Sequence, residues 1–316
     1  MTVGTDRRTA QSDASRALQH LWHDDEMDKV STESCRTVAA IRAVDTEDAS
    51  IEFEEPLAAW LAGADWVARI RHVKEASAQY RTGLISHVSI RCMAIDAAIL
   101  NACKGGAGVR QVVLLGAGMD TRPYRLKLPE VAWFEVDVPA MSRIKQRLIE
   151  QAPEHLRPET TPRTRRLERV PLDLATSLDE LRAQLIRRGF DPDAPVLYVM
   201  EGLVYYLSAE ENRQLLEKLP AAPGSQVLVT CIPAALKKMV NDPSVQAQVP
   251  HFKVVAPSWK TDLDEFRAII AHRWTITEEI NVFDYAEHCG KKLARENTFI
   301  ADQRDVTESL IHAAID

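Results

Sequence analysis

The sequence has no long apolar segment, and it begins without an apolar leader. None of its 316 residues lies in a run of the roughly 18 uncharged apolar residues that a membrane-spanning helix requires. Residues 1–13 are polar and lack the apolar region of a secretory signal. We therefore expect a cytoplasmic protein that has no membrane partner.

Cysteine and basic charge are also scarce. The five cysteines are scattered without a Cys-x-x-Cys pair, which disfavours a disulfide framework, and we expect reduced thiols and no metal site. The net charge of −7 repels polyanions, so we expect no nucleic-acid partner. With 46% hydrophobic and 27% charged residues, the composition is that of a globular protein. We predict one domain over residues 1–316, of unknown oligomeric state.

The first hundred residues carry apolar positions at helical spacing and no strand pattern. The spacing predicts helices over residues 34–44, 57–73 and 83–100. These helices would form an N-terminal helical cap over residues 1–105.

From residue 110 onwards, strand-like and helix-like segments alternate. Strands are predicted at 111–115, 131–136, 167–172, 195–200 and 226–232, and helices at 139–150, 177–188 and 209–219. Ser208 and Glu211 have the spacing of a capping box at the start of the last of these helices. Such alternation implies an α/β fold with a mostly parallel, doubly wound sheet and helices on both faces.

After Pro233 the pattern is weaker. We predict a helix at 261–271 and a closing pair of strands at 274–280 and 296–301.

Gly116 and Gly118 directly follow the first predicted strand. Glycine at this point lets the backbone approach a ligand and turn into a helix with free N–H groups. The dinucleotide fingerprint would place a third glycine where Thr121 stands, and the sequence has no Gly-Lys-Ser/Thr phosphate loop. The pattern therefore favours a nucleoside without a pyrophosphate over NAD.

Acidic residues follow the next strands. Asp137 lies roughly 20 residues after Gly116, the spacing at which an acid meets a ribose diol. Glu135 shares its face in an extended chain and is the second candidate. A solvated acid at a strand end is the alternative to a ligand-binding role.

Four further residues could contact a ligand at the carboxyl ends of the strands. Asp173 and Leu174 offer a polar group and an aliphatic surface that suit an adenine ring. Glu201 could bind a substrate ammonium or a cofactor amino group. Tyr206 could direct its hydroxyl at a reacting oxygen, or it could simply anchor a helix.

Three segments resemble the leucine carboxyl methyltransferase family, which includes eukaryotic protein phosphatase methyltransferases and bacterial O-methyltransferases, some of which act on polyketides. They are VLLGAGMDTR (113–122), FEVDVP (134–139, with Lys145 behind it) and EGLVYYL (201–207). The similarity extends over roughly residues 30–232. It implies a Rossmann-like class I methyltransferase fold that uses S-adenosyl-L-methionine, with an antiparallel last strand and a substrate lid at residues 233–272.

The resemblance also implies roles for individual residues. Gly116 and Gly118 would pass beneath the methionine part of the cofactor, and Asp137 would hold its ribose. Asp173 and Leu174 would contact the adenine. Glu201 would bind the amino group of the cofactor, and Arg91 would bind its carboxylate. Either Arg36 or Arg42 would take the family's N-terminal basic role. Asp120 and Arg122 would be structural, as a helix cap and an internal ion pair. One departure is Glu55-Pro56, where the family has Asp-Pro.

The implied reaction is in-line transfer of a methyl group to a carboxylate or hydroxyl oxygen of a small molecule or peptide. Such an enzyme must chiefly align the reactants and exclude water. A carboxylate acceptor is ionised at neutral pH and needs no base. A hydroxyl acceptor would be helped by a base such as Tyr206, His251 or His288. The alternatives are an NAD-dependent oxidoreductase and a cofactor-binding protein of the same fold without transfer activity.

Overall fold

A mostly parallel sheet forms the centre of the computed structural model, which describes residue 22 and residues 28–76, 83–105, 108–248, 252–293 and 304–315. The α-helices are α1 (Lys29–Thr46), α2 (Ala58–Ala62), α3 (Ala64–Ala76), α4 (His87–Ala102), α5 (Arg122–Arg125), α6 (Pro139–Glu150), α7 (Leu181–Arg187), α8 (Ala209–Lys218), α9 (Ala234–Val240), α10 (Pro243–Gln248), α11 (Phe252–Val255), α12 (Leu263–Ile270) and α13 (Val282–His288). The strands are β1 (Leu84–Ile85), β2 (Gln111–Leu115), β3 (Leu128–Asp137), β4 (Thr164–Pro171), β5 (Leu197–Met200), β6 (Gln226–Cys231), β7 (Thr275–Asn281), β8 (Lys292–Leu293) and β9 (Ser309–Ala314).

The strand order of the sheet is β4-β3-β2-β5-β6-β9-β7. The first five of these strands are parallel to one another, whereas β9 is antiparallel to both of its neighbours, β6 and β7. The predicted fold class is therefore confirmed. Because β2, β3 and β5 are parallel, their carboxyl ends lie at one edge of the sheet. The strands on either side of β2 belong to different crossovers, which is where ligands bind in open sheets of this kind.

The central strand β2 is buried on both faces, as its unbroken apolar run predicted. Val113 and Leu115 point into a core shared with α7, α8 and α12. Val112 and Leu114 point to the opposite face, into a core shared with α4. This alternation explains why helices cover both sides of the sheet.

The N-terminal helices differ from the prediction in two places. The helix expected at 57–73 is broken into α2 and α3 because Gly63 adopts a φ of 84°, a left-handed conformation that ends α2. The expectation of no strand before residue 105 is also wrong. Strand β1 is only two residues long and pairs in parallel with β8, a partner so distant in the chain that no local pattern indicates it.

Two helices begin where local sequence signals predicted them, α6 at Pro139 and α8 after the Ser208 cap. Helix α6 begins and ends at the predicted residues. In α8 the Ser208 side chain accepts from the backbone N–H of Glu211, and the Glu211 carboxylate accepts from the backbone N–H of Ser208, which confirms the capping box. Helix α4 begins later than predicted, at His87, because Ser86 caps it.

The C-terminal region was the least well predicted. Strand β7 is where a strand was expected, but the strand that pairs with it, β9, was missed. The expected strand at 296–301 and the polar residues 1–13 lie outside the described residues. Residues 233–272 contain α9 to α12, and their role as a substrate lid stays a prediction.

No helix within the described ranges is both long and apolar enough to cross a membrane. Across the same residues, no group of three or more His, Cys, Asp or Glu side chains is arranged to hold a metal ion.

Candidate functional site

The loop that follows β2 lies against the end of β3. The backbone N–H groups of Gly116 and Ala117 both donate to the carbonyl oxygen of Val136, at 2.9 and 3.1 Å. The N–H of Gly118 donates to Oδ2 of Asp137 at 2.6 Å, and the N–H of Val138 donates to Oδ1 at 2.8 Å. The structure thus brings the predicted glycines and the predicted acid into direct contact.

Both glycines have backbone conformations that other residues rarely adopt, with φ of 69° at Gly116 and 43° at Gly118. A Cβ atom at Gly116 would lie 3.2 Å from Cδ1 of Leu203, and one at Gly118 would lie 3.0 Å from Sγ of Cys35. A side chain at either position would therefore crowd the space above the loop. Sequence reasoning missed Cys35, which lies on α1 and approaches Gly118 from a distant part of the chain.

Burial raises the pKa of Asp137 to about 6, although the two backbone N–H groups that it accepts from act in the opposite direction. The side chain is therefore ionised at neutral pH and protonated in mild acid. A carboxylate with this environment can accept hydrogen bonds from a vicinal diol at neutral pH.

Glu135, the second candidate for the ribose, is engaged elsewhere. Its Oε1 lies 2.7 Å from Nζ of Lys145 and its Oε2 lies 3.1 Å from Nε of Arg169. Glu135 and Lys145 are both 2% exposed. We call Glu135, Lys145 and Arg169 the Glu135 triad, and it joins β3 to α6 and β4.

A second and larger group of buried charges lies beside the glycine loop. We call it the arginine–carboxylate cluster, and its members are Arg42, Glu55, Arg91, Asp96, Asp120, Arg122, Arg125, Glu201 and Glu308. Every one of these side chains is at most 15% exposed.

Arg91 and Glu201, two predicted cofactor ligands, contact each other in this cluster. Nε of Arg91 donates to Oε1 of Glu201 at 2.9 Å, and Nη1 of Arg91 donates to Oε2 of Glu308 at 2.6 Å. Oε2 of Glu201 lies 2.8 Å from Nη1 of Arg122. Burial alone would raise the pKa of Glu201, but the guanidinium groups of Arg122 and Arg91 outweigh it and hold this pKa far below the ordinary range.

The predicted ion pair between Asp120 and Arg122 is present, but Thr121 and not Asp120 is the N-cap of α5. Oδ1 of Asp120 accepts from the backbone N–H of Arg122 at 2.7 Å, and its Oδ2 pairs with the guanidinium group of the same residue. Nε of Arg122 also lies 2.7 Å from Oδ1 of Asp96. Arg122 therefore fixes the end of the glycine loop to α4 and to the end of β5.

Glu55, which stands where the family has aspartate, is fully buried in the cluster. Its Oε1 lies 2.8 Å from Nε of Arg125 and 3.6 Å from Nη1 of Arg42, and it also accepts from the hydroxyl of Thr121. Burial raises the pKa of Glu55, and Arg125 and Arg42 more than compensate for it, so that the net shift is downward. The substitution thus keeps a buried anion at this position.

The two N-terminal arginines point to different surroundings. Arg42 donates from Nη2 to the carbonyl oxygen of Met119 at 3.1 Å, next to Gly118. Arg36 instead donates to the carbonyl oxygen of Ala62 and to Asp65, and it lies over the rings of Trp22 and Trp66. Of the two, Arg42 is the one that reaches the glycine loop.

Asp173 and Leu174 follow β4 at the same edge of the sheet as Asp137. The backbone N–H of Leu172 donates to the carbonyl oxygen of Asp137 at 2.8 Å, which holds this segment beside the end of β3. Asp173 is half-buried and accepts from the N–H of Ala175, whereas Leu174 packs against the core.

Tyr206 lies in a single 3₁₀ turn, residues Val204–Tyr206, after β5. Its hydroxyl is 3.2 Å from the hydroxyl of Ser34 on α1. Its ring packs near those of Tyr205 and Trp259, with centroids 4.9 and 6.5 Å away. Burial raises its pKa above the ordinary value, which makes its deprotonation harder still. Of the predicted histidine bases, His288 is exposed on α13 and His251 lies outside the described residues.

Sequence reasoning missed the cluster members Asp96, Arg125 and Glu308. Asp96 and Arg125 sit at helical positions that look like ordinary solvated charges. Glu308 directly precedes β9, the strand that was not predicted, so nothing local placed it near the site.

Comparison with known proteins agrees with this geometry. A family model described as leucine carboxyl methyltransferase matches residues 36–220, more than half of the chain. A protein from Mycobacterium avium is 30% identical over 226 residues, covering 67% of this chain and 70% of that protein. A protein from Mycobacteroides abscessus is 31% identical over 272 residues, covering 81% and 85%. Both carry names that assign them as S-adenosyl-L-methionine-dependent methyltransferases.

Two solved structures share the fold. A DUF574 family protein from Streptomyces avermitilis has a TM-score of 0.52 at 16% identity, covering 88% of this chain and 97% of that one. A protein from Thermobifida fusca, assigned as a methyltransferase, has a TM-score of 0.51 at 14% identity, covering 88% and 94%. Nothing in the structure or in these comparisons supports the oxidoreductase alternative. The chain therefore belongs to the leucine carboxyl methyltransferase family, and it is an S-adenosylmethionine-dependent methyltransferase.

Proposed function

We propose that this enzyme methylates an oxygen atom, preferentially a carboxylate oxygen, of a small molecule or peptide. The observation that carries the proposal is the position of the Tyr206 hydroxyl, which lies 3.2 Å from the hydroxyl of Ser34 and whose pKa burial raises still further above neutrality. A protonated tyrosine can donate a hydrogen bond to an acceptor oxygen but is a poor base. A carboxylate is already ionised and needs no base, so it suits this site better than an alcohol.

The charged donors of the site fit the cofactor's methionine part. Nε of Arg42 is buried and has no hydrogen-bond partner among the described residues. Because an unpaired buried N–H group is costly, this donor favours a bound carboxylate. Arg91 lies in the same cluster, where its Nε and Nη1 donate to Glu201 and Glu308. Glu201, an ionised carboxylate between two arginines, would hold the amino group.

The remaining contacts fit a nucleoside. Asp137 would accept hydrogen bonds from the ribose hydroxyls, and Gly116 and Gly118 leave room for the chain of the cofactor to pass. Asp173 and Leu174 would meet the adenine, one at its polar edge and one at its face. The placement of these residues at one edge of the sheet supports this assignment.

When bound, the cofactor supplies a methyl group on a sulfonium, which is already an activated donor. The residues of the chain then have to position the acceptor and exclude water. Tyr206 and Ser34 present two hydroxyl groups 3.2 Å apart, which can hold an acceptor oxygen in place. Trp259 and Tyr205, with ring centroids 5.2 Å apart, pack beside them, and α11 packs on α1. These aromatic contacts would keep water from the reacting atoms.

The test is to incubate the purified chain with methyl-labelled S-adenosylmethionine and a panel of carboxylates, phenols, alcohols, amines and thiols. We expect label on a carboxylate, which mild alkali releases as volatile methanol because it hydrolyses esters and leaves ethers intact. Gly116→Arg and Asp137→Ala should both abolish cofactor binding and labelling. Label found only on nitrogen, carbon or sulfur would contradict the proposal.

A further inference from the structure

The arginine–carboxylate cluster holds one more carboxylate than it holds arginines. Its arginines are Arg42, Arg91, Arg122 and Arg125, and its carboxylates are those of Glu55, Asp96, Asp120, Glu201 and Glu308. With all of these groups ionised, the cluster has a formal charge of −1. Among the described residues, the ion pairs of these side chains join them only to each other, so no further cation neutralises the excess.

The excess carboxylate is best assigned to Glu308. Two of the five carboxylates have a single ion pair in the described part of the chain, Asp120 with Arg122 and Glu308 with Arg91, at 2.6 Å for the latter. Asp120 also accepts from the backbone N–H of Arg122, whereas Glu308 relies on Arg91, which Glu201 shares. Arg91 therefore faces two carboxylates. Glu308 is 5% exposed at its side chain, so solvent screens its charge only weakly.

This charge lies at the edge of the sheet where the cofactor would bind. Arg42 contacts the carbonyl oxygen of Met119 in the glycine loop, and Glu201 directly follows β5. In a buried environment the interaction between two charges decays slowly with distance. A cation bound at this edge is therefore stabilised by the excess charge, whereas a neutral ligand of the same shape is not.

The methyl donor and its product differ in this respect. S-adenosylmethionine carries a sulfonium, an ammonium and a carboxylate, with a net charge of +1, and S-adenosylhomocysteine has lost the sulfonium charge and is neutral overall. We propose that Glu308 is a specificity-determining residue that strengthens binding of the cationic cofactor relative to its neutral product. Loss of the methyl group then weakens retention of the product and favours its release. This inference rests on the cofactor of the family and is independent of the proposed acceptor.

The experiment is calorimetric titration of the full chain and its Glu308→Gln variant with three ligands. These are S-adenosylmethionine, S-adenosylhomocysteine and sinefungin, which carries an ammonium in place of the methyl sulfonium. In the variant we expect the Kd values of the two cationic ligands to rise about tenfold, or about 1.4 kcal/mol. The Kd of S-adenosylhomocysteine should change less than about threefold.

Three further variants test whether the effect on the Kd values is specific to the charge of the cluster. Glu308→Asp keeps the charge and should keep the discrimination between cationic and neutral ligands. Asp96→Asn removes a charge elsewhere in the cluster and should reduce the discrimination, which tests the proposal even if Glu308→Gln does not fold. Glu279→Gln changes the net charge of the protein equally but breaks only a pair with Arg267 outside the cluster, and it should leave all three Kd values unchanged.

Equal weakening of all three ligands in Glu308→Gln would show that Glu308 only holds Arg91 in place, and it would overturn the proposal. Unchanged Kd values for all three ligands would also overturn the proposal. A loss of affinity for S-adenosylmethionine without a loss for sinefungin would overturn it as well. Because no acceptor is used, failure of the proposed O-methylation would not affect this outcome.

Discussion

The two buried charge clusters of the molecule use the same residue types for different purposes. In the Glu135 triad, both oxygens of the carboxylate face cations of the chain, Lys145 and Arg169. The other nitrogens of Arg169 contact Gln146 and the hydroxyl of Tyr124. The triad thus has two cations for one carboxylate. In the arginine–carboxylate cluster, by contrast, four arginines face five carboxylates.

This difference separates a structural ion pair from a candidate binding site. A carboxylate at the end of a strand is not informative by itself, since Glu135 and Glu201 both fit that description. The balance of charge around it is informative, because a buried carboxylate in excess of its cations is costly unless a cationic ligand pairs with it. The comparison can be tested by removing members of each cluster.

The largest effect is expected for Arg122→Met. Arg122 is fully buried and pairs with Asp96, Asp120 and Glu201, so the substitution leaves three carboxylates without their shared cation. Breaking such a buried group should lower the free energy of unfolding by about 3–5 kcal/mol, measured by urea denaturation. The exposed Arg213, which pairs with Glu210 and Glu217, is the control, and Arg213→Met should cost less than about 1 kcal/mol. If both variants lost a similarly small free energy of unfolding, the cluster would contribute little to the stability of the fold.

The next largest effect is expected on cofactor affinity, and it distinguishes the two clusters directly. Glu201→Gln should weaken S-adenosylmethionine binding by roughly 10- to 100-fold, since a charged hydrogen bond contributes about 1.5–3 kcal/mol. Glu135→Gln should destabilise the fold by leaving Lys145 buried with a neutral partner, but it should change the Kd less than about threefold. If the Glu135 variant lost affinity as strongly as the Glu201 variant, the triad would have to be counted as part of the cofactor site.

A smaller effect on cofactor affinity is expected from a change of pH. The pKa of Asp137 is raised to about 6, so its carboxylate is protonated below that pH and loses an acceptor for the ribose hydroxyls. Affinity for S-adenosylmethionine should therefore rise with pH up to about 7 and be constant above it, with a decrease of up to about tenfold between pH 7 and pH 5. Asp137→Asn should bind weakly and without this dependence. A wild-type profile that is flat from pH 5 to 7 would exclude Asp137 as the titrating ligand.

The smallest effect concerns the acceptor. Tyr206→Phe removes one hydrogen bond, to Ser34, and should reduce kcat/KM less than about tenfold because a neutral hydrogen bond contributes about 0.5–1.5 kcal/mol. Ser34→Ala is the matched variant and should have a similar effect. A loss of more than about a hundredfold in Tyr206→Phe alone would instead identify Tyr206 as a base.

Much of the sheet edge that carries the candidate site could be predicted from local sequence patterns. Strand β2 and helix α6 were predicted at their observed bounds, because an unbroken apolar run and an amphipathic repeat are local signals. Once the strands were parallel, the contact of Asp137 with the glycine loop followed from the shared edge of the sheet. The pairing of Glu135 with Lys145 and Arg169 did not follow, since an extended strand places Glu135 and Asp137 on one face without showing what covers each.

The sequence alone determined the fold class and the strand ends that could bind a nucleoside. It also determined the family to which the chain belongs. Tertiary structure decided which of the charged residues are paired and which keep free hydrogen-bonding groups. Arg91 is separated by 110 residues from Glu201 and by 217 residues from Glu308. Charges carry no periodic signal of their partners along the chain, so contacts between such distant residues arise only when the sheet has formed and α4 has packed on it.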